Sequence, residues 1–189
     1  KKETYNFNLK SRETFILANN WFMIFFLVTV LIGMLYPIFL DVLTNVKISV
    51  GPPFFNIVII PLVVPLMFLM AIGPKFSWIK SQKKILYKIL FPILGAVVIN
   101  LFIYYFFGKY SLLSNLIFIS ALFLILYTLL DIKKFINEKI KTGLPRIISH
   151  LGFGLLVFFI GINYQFSFEE DFNLKVGEIK KMNKYEINF

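Results

Sequence analysis

A single histidine, His150, sits in Arg146-Ile-Ile-Ser-His150-Leu-Gly-Phe-Gly154, at the start of an apolar run long enough to enter a lipid bilayer. An ionisable side chain at such a place is costly and points to function. Imidazole is cheaper to bury than a fixed charge because it can stay neutral, and the neutral ring is the commonest metal ligand a side chain offers. The same residue reads equally as a polar contact between helices. On a helix His150 shares a face with Arg146, Ile147, Phe153, Gly154 and Val157. That face is apolar, has a gap at Gly154 and carries one cation a turn away. A flat macrocycle set against it would find room at Gly154, walls at Phe153 and Val157, and a partner for its carboxylates at Arg146. A six-coordinate iron would need a second axial ligand, which we expect from a histidine outside this chain, with Met as the formal alternative.

Other chemistry has little support. The chain has no cysteine, hence no disulfide, thiolate metal site or redox thiol. It shows no His, Cys and carboxylate cluster for zinc, no Ser and His pair with an acidic orienter, and no glycine-rich phosphate loop. The acidic run Glu169-Glu170-Asp171 reads as solvated surface.

The elements that must position His150 are membrane helices. Of the 189 residues 58% are hydrophobic and 24 are Phe, and the mean hydropathy is +0.78. The composition predicts an all-α integral membrane protein. Five segments have the ~20-residue length that spans ~30 Å of hydrocarbon: residues 21–40, 54–72, 89–107, 112–130 and 144–162. Residues 1–20 form a cytoplasmic or interfacial lead-in. In it, Ser11 can cap a helix with Glu13 in the favourable first turn, ahead of Asn19 and Asn20. Pro52 and Pro53 predict a stiff, extended entry into the second span, kinked in turn by Pro61 and Pro65, with Asn56 near its outer end. Gly108 to Ser111 predict a tight hairpin between the third and fourth spans. Residues 163–189 predict the start of a truncated extracytoplasmic β domain, from the alternation at Phe166 and Phe168, a turn at Lys175 to Glu178, and alternation again at Tyr185, Ile187 and Phe189.

Of 20 Lys and Arg, fourteen fall in the lead-in and the second and fourth connections, so the N-terminus is expected in the cytoplasm and the tail in the periplasm. A net charge of +10 spread over three loops suits anionic membrane lipid rather than a nucleic acid, which needs one basic face. Lysine greatly outnumbers arginine, which we read as a coding bias without mechanistic content.

Ser11-Arg12-Glu13 with Asn19-Asn20, then Gly33 and Tyr36-Pro37, then Ile48-Ser-Val-Gly-Pro-Pro-Phe-Phe-Asn56, then Gly73-Pro74 and Trp78 resemble, in order and spacing, the CcmF/NrfE family of cytochrome c biogenesis proteins. The resemblance covers essentially the whole chain, but only part of the family's length. It implies a haem lyase subunit of the bacterial inner membrane. Haem from the chaperone CcmE is joined by thioether bonds to the Cys-Xaa-Xaa-Cys-His motif of an apocytochrome c presented with CcmH. His150-Leu-Gly-Phe-Gly matches the segment whose histidine is an axial ligand of a membrane-embedded haem b, and Arg146 becomes a contact for a haem propionate. The tryptophan-rich haem-receiving segment is not in this chain, so the chain alone is expected to be inactive. Two other readings stay open: a multi-span transporter or permease subunit in which His150 binds substrate or titrates, and a structural subunit in which it packs helices.

Overall fold

The computed structural model describes residues 11–76, 85–108, 110–138, 143–167, 179–182 and 185–188. Five helices, each long and apolar enough to cross a membrane, make up nearly all of it: α1 (Arg12–Thr44), α2 (Pro52–Ile72), α3 (Ile85–Phe107), α4 (Leu112–Glu138) and α5 (Leu144–Phe166). A short 3₁₀ turn, Gly73–Lys75, finishes α2.

α4 is the hub, packed against α2, α3 and α5, while α1 packs on α2. The membrane-length stretch of α4 is 56% buried, that of α1 only 6%. Apolar side chains on α1 therefore face outward, as a lipid-facing helix requires. Phe118, Phe123, Leu66 and Met67 are fully buried; Phe68 of α2 stacks on Phe123 of α4 at 4.8 Å, and Phe118 of α4 meets Phe158 of α5 edge-on at 5.6 Å. Hydrocarbon offers no competing hydrogen bonds, so polar side chains pair between helices. Asn100 of α3 donates to Asn115 of α4 at 2.9 Å, and Ser114 of α4 donates to Gln165 of α5 at 2.8 Å.

Glycine sets how closely α5 approaches α4. A Cβ on Gly154 would lie 2.9 Å from the Ile125 side chain, and one on Gly161 3.0 Å from Ile117. These two glycines, seven residues apart, let the helices touch. Gly154→Val is therefore expected to overpack the seam and cost about 1–3 kcal/mol of stability, measurable by unfolding in mixed micelles, with Gly152→Val as a neutral control because nothing lies within 4 Å of a Cβ there.

The expected Ser11 cap is present: the Ser11 hydroxyl accepts a hydrogen bond from the Thr14 amide (3.4 Å), and α1 starts at Arg12. Other expectations need correction. Pro52 and Pro53 are the first turn of α2 and not an extended entry; at that position a missing N–H costs nothing. Phe166 ends α5 and belongs to no strand. The expected turn at 175–178, together with Phe168 and Phe189, lies outside the described residues. No β domain is seen among the described residues. They hold one antiparallel hairpin, β1 (Ile179–Met182) and β2 (Tyr185–Asn188), pairing Ile179 with Asn188 and Met182 with Tyr185. The tight turn at Gly108 is present, with φ of 92°, a conformation glycine adopts without steric cost.

Candidate functional site

Gly143, at φ 110°, starts α5, with Pro145 in its first turn. That start fixes the rotation of α5: Ile147 is buried, while Arg146 and His150, one turn apart, are half-buried. The Ser11 cap fixes α1 in the same way. Its inward stripe is Arg12, Phe15 with Ile16, Asn19 and Met23, spaced as one helical face. Phe15 stacks on Phe76 at 4.4 Å, and the missing side chain of Gly73 admits Phe15, whose Cβ lies 3.3 Å from where a Cβ would be. This draws the start of α1 against the end of α2.

Between these three helices lies a cavity of about 320 Å³. Its lining includes Arg12, Asn19 and Met23 from α1, Met70 from α2, and Arg146 and His150 from α5. Both expected site residues, Arg146 and His150, therefore share one cavity. The expected walls do not join them. Phe153 packs against the helix core, to which the buried Val157 belongs, and the Gly154 gap is filled by α4. The cavity draws its apolar walls from α1 and α2 instead. Sequence reasoning also missed Arg12 as a lining residue, although the Ser11 cap, read as a helix start, puts Arg12 and Asn19 on one face.

Beside the cavity Asp131 of α4 ties three elements together. It accepts from Lys75 in the 3₁₀ turn and from Arg146 Nη2 at 3.3 Å, while Lys75 sits 5.5 Å from the Tyr127 ring. Asp131 thus holds Arg146 at the cavity edge. Among the described residues, nothing hydrogen-bonds to the His150 imidazole, and no cluster of three His, Cys, Asp or Glu could hold a bare metal ion. The chemistry offered is one uncommitted imidazole, apolar walls and guanidinium groups. That set suits a planar, apolar, metal-centred ligand bearing carboxylates, and does not suit an aqueous ion.

A second cavity, of about 760 Å³, lies at the opposite end between α2 and α5 and is lined by Gly51, Pro52, Asn56, Asn163 and Tyr164 among others. It brings no titratable cluster together.

No protein-family model matches the chain, and no solved structure matches it. Curated proteins do. The cytochrome c-type biogenesis protein CcmF of Pseudomonas fluorescens is 33% identical over 100% of this chain and 30% of its own length. The chain belongs to the CcmF/CycK family of cytochrome c biogenesis proteins. CcmF of Escherichia coli K12 is 27% identical over 96% of this chain and 29% of its own length, and CycK of Rhizobium meliloti is 28% identical over 95% and 29%. The chain thus spans about 30% of the length of these CcmF and CycK relatives. In this CcmF-family segment, the stretch from Ser11 to Asn20 supplies one wall of the cavity and Gly73-Pro74 its floor.

Proposed function

We propose that this segment belongs to the membrane subunit of a haem lyase that binds haem b and takes part in attaching haem to apocytochrome c. The observation that carries this reading is the convergence of the chain's only histidine with Arg146 on one apolar cavity between α1, α2 and α5. His150 would hold the haem iron through a ring nitrogen and Arg146 a propionate. When bound, the haem supplies one-electron chemistry. The residues of this chain exclude water through Phe15, Ile16, Leu69 and Met70, orient the ring through His150, and neutralise its carboxylates. Asp131 keeps the Arg146 side chain at the edge rather than in bulk water.

In this reading the partners are the chaperone CcmE, a CcmH-type presenting subunit, apocytochrome c and membrane lipid. The protein lies in the bacterial inner membrane with the end carrying Arg12, Lys75 and Arg146 cytoplasmic, and β1–β2 opens the periplasmic domain. In a strain lacking the full-length parent, covalent c-type haem should fall to background while b-type cytochromes persist, and the wild-type gene should restore it. Undiminished c-type haem in that strain overturns the reading.

The orientation has its own test, because the chain has no cysteine to remove. In intact spheroplasts a membrane-impermeant maleimide should label Lys47→Cys, in the exposed loop after α1, and leave Lys133→Cys, exposed at the opposite end of the bundle, unlabelled until the membrane is opened. The reverse pattern would invert the topology.

A further inference from the structure

Arg146 lines the cavity from α5, and its planar guanidinium holds a carboxylate best through two parallel N–H donors. One edge of that fork can close on a carboxylate of the ligand or on a carboxylate of the protein, but not on both. The protein carboxylate beside it is Asp131 of α4. An Arg and an Asp in contact frequently form the two-bond pair. Here they do not: Nη2 alone meets Asp131, donating to Oδ2 at 3.3 Å, long for a charge-assisted bond.

The reason lies in Lys75. Its ammonium pairs with the other oxygen, Oδ1, so Asp131 divides its two oxygens between two cations. Lys75 is held for this contact from outside the cavity. It ends the 3₁₀ turn Gly73–Lys75, whose first residue packs against Phe15 of α1. Its ammonium also lies 5.5 Å from the ring centroid of Tyr127, which is 5% exposed and one helical turn before Asp131. A cation at that distance from a ring is attracted to its face. Neither Lys75 nor Asp131 lines the cavity, and Arg146 has no other ion-pair partner among the described residues.

We propose that Lys75 is a positioning residue of this site: by occupying Oδ1 it stops Asp131 from closing on the Arg146 fork and leaves that fork to a carboxylate of the ligand. Asp131 then anchors Arg146 by one bond without withdrawing it from the cavity. Removing Lys75 frees Oδ1, and Asp131 captures Arg146 with both oxygens. The inference rests on the haem reading above for the identity of the ligand, and deepens it by naming a residue that acts on the ligand only through Arg146.

The test uses full-length parent protein in detergent, stripped of haem and read in two ways: titration with haem, and modification of Arg146 by phenylglyoxal, located by peptide mass spectrometry. Lys75→Met should weaken haem binding about tenfold, the worth of one charge-assisted contact, and slow modification of Arg146 in the haem-free protein. Adding Asp131→Asn should restore both, because the competing carboxylate is gone. In an Arg146→Gln background Lys75→Met should change haem affinity no further, as a residue acting through Arg146 requires. Lys133→Gln, an exposed cation outside the cavity lining, should change neither reading. If Lys75→Met does not accumulate in the membrane, Lys75→Gln is measured in its place and should give a smaller loss of the same pattern. Unchanged affinity and Arg146 reactivity would overturn the proposal. So would a loss that persists in the Arg146→Gln background, which marks a plain charge effect, and a loss that Asp131→Asn does not restore, which marks a structural role. If His150→Ala binds haem like wild type, the haem reading itself fails, and Arg146 reactivity in the haem-free protein still decides what Lys75 does.

Discussion

His150→Ala in the full-length parent is expected to reduce covalently haem-stained c-type cytochrome by on the order of 100-fold, with the protein still present in the membrane. The size follows from the ligand role: even groups that only orient a metal ligand are worth ~10–100-fold in affinity, and an axial ligand is worth at least as much. Folding should be spared, because His150 is half-buried and has no hydrogen-bond partner among the described residues. His150→Gly should recover part of the yield when imidazole is supplied, since the ring returns without its tether. Wild-type cytochrome levels from the alanine variant would leave His150 as a helix-packing residue.

Asp131→Ala carries the second large expectation. It strands Lys75 and Arg146 beside one another, where Asp131 had accepted from both. Removing one partner of a buried ion pair costs ~3–5 kcal/mol. Here the side chains are 16% exposed for Asp131, 29% for Lys75 and 36% for Arg146, so partial solvation reduces the expected loss to about 2–3 kcal/mol. Unfolding of the purified protein in mixed micelles reads it. Adding Lys75→Met to Asp131→Leu should recover about half the loss, because one stranded charge is gone. A loss below about 0.5 kcal/mol in Asp131→Ala would show that water screens the pair fully.

The five spans were legible because hydropathy over twenty residues is a local property. Element ends were less so, as Phe166 shows: two aromatics spaced by two residues suit a strand, but one of them completes the last turn of an apolar helix. Pro52 and Pro53 mislead in the same way, since their fixed φ suits an extended chain and the first helical turn equally.

The site was half legible. Arg146 and His150 are one turn apart on one helix, so their shared face follows from spacing alone. Gly154 is also one turn from His150, yet its side of α5 meets α4; a rotation of some tens of degrees separates cavity from seam, and only packing sets it. The glycine spacing of seven, Gly154 to Gly161, was the readable sign of a helix seam. Arg12 was hidden because the cavity it shares with Arg146 and His150 is built from helices far apart in sequence. Its one local sign was the Ser11 cap, which sets the face of α1 that carries Arg12. Asp131 gave no sign at all, since one acid at the end of a span looks like any interfacial residue.

The central claim is that His150 binds haem iron, and the most direct test is the oxidised and reduced visible spectrum of the full-length parent in detergent, wild type against His150→Ala. The account expects a b-type spectrum in the wild type that is lost or shifted in the variant. An unchanged spectrum, or no haem in either protein, would contradict it.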